Sequence, residues 1–174
     1  MQAEIFARAR GVCLLVLDVD GVMTDGKLYF SNQGDELKAF NILDGQGIKL
    51  LQTVGIRVAV ITGRQSEIVE RRAANLGIEL VLQNREDKLK ALDEILATLD
   101  LGYDDVAYVG DDLPDLACIA KVALGVSVPN AHPLVKEKAL CLTTCSGGQG
   151  AVREVCDWIL QAQDKYDDAV APYL

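Results

Sequence analysis

Histidine is nearly missing from this sequence: His132 is the only one. The five cysteines, Cys13, Cys118, Cys141, Cys145 and Cys156, include no C-x-x-C pair, and their number is odd. Zinc-finger spacing is therefore excluded, and free buried thiols in a reducing cytosol are the expectation. Positive charge is also short. Lys and Arg number 17 against 26 Asp and Glu, a formal net charge of −9. Such a field repels nucleic acid and anionic membranes, so neither is expected as a partner. It repels a phosphorylated substrate at long range as well. An anion site must then be built locally, from a metal ion, a few basic side chains and backbone N–H groups. Long apolar runs are missing too: Met1–Arg10 has none, and Leu14–Leu17 stops at Asp18. Neither a signal peptide nor a membrane span is expected, and the expected compartment is the cytoplasm.

What is present fits one globular domain over residues 1–174, half hydrophobic and one quarter charged. Apolar runs rich in β-branched residues alternate with helical periodicity. Strands are expected at Val12–Leu17, Ile56–Ile61, Ile78–Leu82, Val106–Val109 and Val122–Val126. Helices are expected at Gly47–Val54, Ser66–Leu76, Asp87–Leu99, Leu113–Ala120 and Ala151–Gln163. Alternation of this kind implies right-handed β-α-β units: an α/β fold with a Rossmann-like parallel sheet and helices on both faces. One segment breaks it. Lys27–Phe30 and Glu36–Phe40 flank Ser31-Asn32-Gln33-Gly34-Asp35, a small β-hairpin (27–40) inserted after the first strand. The tail Tyr166–Leu174 lacks clear periodicity and is expected to be mobile.

Ligands of such folds bind at the carboxyl ends of the strands. Asp18-Val19-Asp20 follows the first strand, Thr62-Gly63-Arg64 the second and Gly110-Asp111-Asp112 the fourth, while Lys88 opens the helix after the third. Phosphoryl transfer needs an in-line nucleophile and positive charge around the equatorial oxygens. Asp18 is suited to be that nucleophile, forming an aspartyl-phosphate. An anion attacking an anion needs a cation, and Mg2+ takes oxygen ligands such as Asp18 and Asp111. Asp20 is placed to protonate the leaving alcohol and later to activate water. Thr62 offers a hydroxyl and Lys88 a point charge to the phosphoryl group. Singly these residues are ordinary turn, cap and surface positions; their joint order and strand context carry the reading.

The four segments resemble the motifs of the haloacid dehalogenase superfamily of phosphatases. The resemblance implies the roles just given for Asp18, Asp20, Thr62, Lys88 and Asp111, with the backbone carbonyl of Asp20 also facing the metal. Asp18–Gly26, Glu36–Gly47, Ile61–Arg64, Gly110–Asp115, Asn130–Pro133 and Gly147–Cys156 narrow the likeness. Over residues 12 to 165 they resemble the family of phosphatases that act on 3-deoxy-D-manno-octulosonate 8-phosphate, an intermediate of lipopolysaccharide synthesis in Gram-negative bacteria. Many relatives carry Arg and Tyr where this chain has Leu43 and Gln46. Substrate contacts are expected at Asp20, Asn41, Asp44, Gly45, Lys49, Arg64, Arg72 and Lys88, with Lys49, Arg64 and Arg72 pairing the sugar's carboxylate. The competing readings are a phosphatase for a nine-carbon sialic-type sugar acid phosphate and a non-catalytic oligomerising domain. Filled catalytic positions and the lack of an attached partner domain argue against the latter.

Two slots that hold a cap domain in many members of the superfamily hold none here. The first has only the hairpin, and the second, Thr62 to Lys88, only a helix and a strand. A capless enzyme with a small substrate needs its site covered by a neighbouring subunit, because excluding water strengthens the electrostatics. The resemblance implies a homotetramer whose hairpins pack together. Asp115 is read as a helix residue or a support behind the site. His132 is read as structural, and Gly147–Gly150 as a turn before the last helix.

Overall fold

The structure, a computed structural model, describes residues 2–174. The chain runs α1 (Gln2–Ala9), β1 (Leu14–Leu17), β2 (Tyr29–Phe30), β3 (Glu36–Leu37), α2 (Ile42–Thr53), β4 (Arg57–Ile61), α3 (Glu67–Leu76) and β5 (Leu80–Leu82). It continues through α4 (Lys88–Leu99), β6 (Val106–Val109), α5 (Leu116–Ile119), β7 (Leu124–Ser127), α6 (Pro133–Lys138), β8 (Cys141–Leu142), α7 (Ala151–Ala162) and α8 (Tyr166–Val170). Six strands form one sheet in the order β5-β4-β1-β6-β7-β8, and every pairing in it is parallel. β2 and β3 form the separate antiparallel hairpin.

β1 is wholly buried, because a parallel strand covered on both faces needs apolar side chains at every position. Winding runs outward from β1 through β4 to β5, then returns to β6 on its other side. With right-handed crossovers this reversal places α2 and α4 on opposite faces. α7 packs against both α1 and α2, and α4 against α5. The crevice at the carboxyl ends of β1 and β6 is therefore the switch point where such folds bind ligands. Register puts Leu17 beside both Val60 and Val109, so Asp18, Ile61 and Gly110 follow at one level.

Four expected strands begin later than their apolar runs. The N–H groups of Val12, Ile56, Ile78 and Val122 turn back to Ala9, Leu51, Ala73 and Cys118 carbonyls at 3.0–3.2 Å. These residues are buried without joining the ladder, so hydrophobicity reported burial rather than pairing. α2 begins earlier than expected, at Ile42, because Asn41 caps it: the Asn41 side chain accepts from the Leu43 N–H at 2.7 Å. Gly45 and Gly47 inside it break the apolar pattern. They are tolerated because a β-carbon would meet Arg72 at 2.4 Å and Arg153 at 2.9 Å. The expected helix 113–120 is a 3-10 turn at Leu113–Asp115 followed by α5.

α1, α6, β8 and α8 were not expected. Each is short, and short helices depend on tertiary packing rather than propensity. The tail expected to be mobile is helical, with Ala169 buried and Tyr173 Oη accepting from Gln46 Nε2 at 2.7 Å. Among the described residues no helix is long and apolar enough to cross a membrane.

Candidate active site

Asp18 is held where β1 ends, its N–H donating to the Val109 carbonyl at 3.0 Å. Its buried carboxylate lies 2.9 Å from Lys88 Nζ, supplied by the first residue of α4. Lys88 donates to Asp115 Oδ1 at 2.7 Å, and Tyr108 Oη donates to the same oxygen at 2.7 Å. Asp115 Oδ2 accepts the N–H groups of Asp111 and Asp112 at 3.1 and 3.2 Å. Asp115 is thus fully enclosed and fully used. It fixes Lys88 and shapes the loop that presents Asp111.

Asp18, Asp111 and Asp115 each bring a carboxylate oxygen within 4.8 Å of the others. Burial pushes the Asp18 carboxyl well above the usual range, Asp115 adds to this, and Lys88 opposes both. Burial likewise pushes Asp111 up to about 6, with Asp115 adding to it. For Lys88, burial favours the neutral amine, but Asp18 and Asp115 outweigh it and keep the ammonium charged. Crowded carboxylates of this kind call for a further cation. Among the described residues Asp111 Oδ1 is buried with no partner, while Asp115 has no lone pair to spare. Asp18 and Asp111 are therefore the pair that could hold a metal ion, and two hard carboxylate oxygens suit a hard divalent cation. Asp111 also explains Gly21. A β-carbon there would sit 2.0 Å from Asp111 Oδ2, and the positive φ of 99° excludes other residues independently.

Asp20 does not join this cluster with its side chain. Its carboxylate pairs with Lys38 Nζ and lies 3.9 Å from Arg64 Nε. That leaves only its backbone carbonyl for the part expected of it at the metal. Thr62 is buried where β4 ends, its N–H donating to the Leu82 carbonyl at 2.9 Å. Asp18, Asp20, Thr62, Arg64, Lys88 and Asp111 all line one cleft of about 320 Å³, along with Leu28 and Glu86.

The other expected substrate residues are not in that cleft. Gly45, Lys49 and Arg72 line a separate hollow of about 110 Å³ with Ile42 and Gln46. Arg72 donates to the Asn41 carbonyl at 3.2 Å and lies over the Phe40 ring. Asp44 is buried, and its Oδ1 accepts the Arg153 N–H of α7 at 2.8 Å. Asn41 and Asp44 are thus placed as braces, one capping α2 and the other joining α2 to the first turn of α7.

Lys38 was missed. Its side chain is only 1% exposed and reaches both Asp20 and Glu36. The signal was the alternation Glu36, Lys38, Phe40, which puts all three on one face of an extended segment. The glycine turn proves to be a support of the nucleophile loop. Gly147 N–H donates to Asn130 Oδ1 at 2.8 Å, and Asn130 Nδ2 donates to the Gly21 carbonyl at 2.9 Å. His132 caps α6, accepting the Leu134 N–H at 3.2 Å.

A family profile of haloacid dehalogenase-like hydrolases matches residues 80–156. The Yersinia pestis 3-deoxy-D-manno-octulosonate 8-phosphate phosphatase KdsC is 53% identical over 166 residues, 95% of this chain and 89% of that protein. Its Escherichia coli K12 counterpart is 49% identical over 169 residues, 97% of this chain and 90% of that protein. The crystal structure of the Moraxella catarrhalis phosphatase of the same name holds magnesium, phosphate and KDO. It matches with a TM-score of 0.98 at 41% identity, covering 100% of both chains. With this fold, this cleft and these likenesses, the chain belongs to the 3-deoxy-D-manno-octulosonate 8-phosphate phosphatases, within the haloacid dehalogenase-like hydrolases.

Proposed function

We propose that this protein hydrolyses 3-deoxy-D-manno-octulosonate 8-phosphate to the free sugar acid and inorganic phosphate. Mg2+ is the cofactor, held by the Asp18 and Asp111 carboxylates and the Asp20 backbone carbonyl. When bound, it offsets the charge of an anionic carboxylate meeting an anionic phosphoryl group. The reaction serves lipopolysaccharide precursor synthesis in the cytoplasm.

Asp18 attacks phosphorus and the bond to the sugar oxygen breaks. Asp20 gives that oxygen its proton, so an alcohol leaves and an aspartyl-phosphate remains. Asp20, now a carboxylate, takes a proton from water as the water attacks phosphorus and frees Asp18. Lys88 keeps Asp18 aimed along the strand and faces the phosphoryl oxygens with positive charge. Thr62 donates its hydroxyl to the same group. Arg64, at the cleft rim, pairs with the substrate carboxylate. Lys49 and Arg72 line a hollow beside the exposed Ile42, and we assign them to a substrate carboxylate presented across a subunit boundary. The assembly is a homotetramer, packed partly through the apolar hairpin.

The observation that carries the reading is the buried Asp18–Lys88 pair, 2.9 Å apart at the strand end. Phosphate release across a panel of sugar-acid phosphates, with and without Mg2+, tests it. The eight-carbon substrate should be turned over fastest and only with the metal. Preference for a nine-carbon sialic-type phosphate, or full activity in EDTA, would contradict it.

A further inference from the structure

The reading of Asp20 as general acid leaves one requirement open, and the following inference rests on that reading. Asp20 sits in a loop, and a carboxyl group turns easily about its terminal bond. To protonate a departing oxygen it must aim one oxygen into the cleft while the other is held. Neither Lys88 nor Asp115 touches it. The group that does comes from the hairpin, 18 residues further along the chain. Lys38 Nζ donates to Asp20 Oδ1, while Asp20 Oδ2 faces Arg64 across 3.9 Å.

This contact is not a loose surface pairing. The Lys38 side chain is 1% exposed, against 43% for Arg64. Enclosing an ammonium is costly unless it is paired, and breaking such a pair leaves an uncompensated charge. Lys38 is paired twice, to Asp20 and to Glu36 Oε1 at 3.1 Å. Glu36 in turn accepts from Arg64 Nη2 at 3.0 Å. The hairpin therefore carries one ionic frame, Glu36 with Lys38, that grips Asp20 on one side and Arg64 on the other. An outward neighbour such as Leu37 makes no such link and is exposed.

We infer that Lys38 is a positioning residue for catalysis: by gripping Asp20 Oδ1 it aims Asp20 Oδ2 at the leaving oxygen of the substrate. The hairpin is then part of the acid–base apparatus as well as a cover. Glu36 anchors Lys38 and so acts one step further back.

The test uses leaving groups, because only a poor leaving group needs the acid. An alkoxide must be protonated as it departs, whereas p-nitrophenolate departs unaided. kcat/KM reports the step that breaks the first phosphorus–oxygen bond, whichever later step limits kcat. Wild type, Lys38→Met, Lys38→Arg, Glu36→Gln and Asp20→Asn are compared on the sugar-acid phosphate and on p-nitrophenyl phosphate, all with Mg2+. Lys38→Met should lower kcat/KM for the sugar-acid phosphate by about 100-fold and for the aryl ester by about threefold or less, the pattern of Asp20→Asn. Lys38→Arg should recover part of the loss. Glu36→Gln should show the same pattern more weakly, and it keeps the test available if Lys38→Met does not fold. Equal losses on both esters, or no loss on either, would overturn the assignment of Lys38 while Asp20→Asn keeps its selectivity. If Asp20→Asn itself shows no selectivity, the general-acid reading falls and Lys38 with it.

Discussion

Gly147 lies so close to Gly21 that a β-carbon on it would sit 1.7 Å from the Gly21 carbonyl oxygen. The contact joins the turn before α7 to the loop that carries Asp18 and Asp20, and Asn130 bonds to both partners. No side-chain rotation relieves a clash between two backbones. Gly147→Ala must therefore move one loop or the other. Overpacking of this kind costs about 1–3 kcal/mol, and a shift of the nucleophile near 1 Å costs on the order of 100-fold in rate. Gly11→Ala is the control, because its β-carbon would meet nothing nearer than 3.8 Å. Urea denaturation and kcat should both change for Gly147→Ala and stay unchanged for Gly11→Ala. Wild-type kcat in Gly147→Ala would show that the loop tolerates displacement.

Asp18→Asn should abolish turnover without unfolding the protein. The nucleophile is lost, and removal of such a group costs about 10⁴-fold or more. Stability should not suffer in EDTA. Burial and Asp115 already disfavour the Asp18 charge, and Lys88 retains Asp115 as its partner. A melting temperature in EDTA at or above that of the wild type is expected. A fall of many degrees would mean that Asp18 is a structural anion.

Much of this was legible in the sequence. β1 through β7 of the sheet stood out because parallel strands are apolar throughout, and Asp18, Thr62, Lys88 and Asp111 stood out because they follow the strands. Lys38 was not singled out, because the alternation of Glu36, Lys38 and Phe40 does not by itself separate a buried Lys from a solvated one. Asp115 was read as a helix residue or a support behind the site, and it supports both Lys88 and the Asp111 loop. Asn41, Asp44 and Gly45 were expected as substrate contacts from the family resemblance. In the fold they cap α2, reach α7 and admit Arg72. α1 was not expected because few apolar residues suffice when a neighbouring helix covers them.

Asp111 links metal binding to pH. Burial holds its carboxyl at about 6 in the folded metal-free protein, against an ordinary 3.8. Between those values the folded state holds a proton that the unfolded chain has lost. A raised carboxyl pKa means that stability declines as pH rises through this window. Asp111→Asn removes the titration, so its advantage over wild type in EDTA should grow from pH 4 to pH 6 and then level off. Mg2+ should cancel that advantage by favouring the charged carboxylate in the wild type. Urea midpoints for both proteins at each pH, with EDTA or Mg2+, measure it. An advantage independent of pH would assign Asp111 an unperturbed carboxyl.

The hairpin presents large apolar side chains to solvent. Phe30 is 62% exposed, Leu37 60%, and the nearby Ile42 81%. A two-stranded ribbon is marginal in water without something to pack on, and apolar residues clustered this way mark an interaction surface. Covering one such side chain is worth about 1.5–3 kcal/mol. In a closed assembly each substitution is repeated in every subunit, so Phe30→Asp with Leu37→Asp should lower the association constant by orders of magnitude. Light scattering should report a tetramer for the wild type and smaller species for the double variant. Because Lys38 and Glu36 belong to the same ribbon, the dissociated form should lose sugar-acid phosphatase activity more than aryl phosphatase activity. A monomeric wild type with full activity on the sugar-acid phosphate would show that the ribbon holds Asp20 without help from a neighbour.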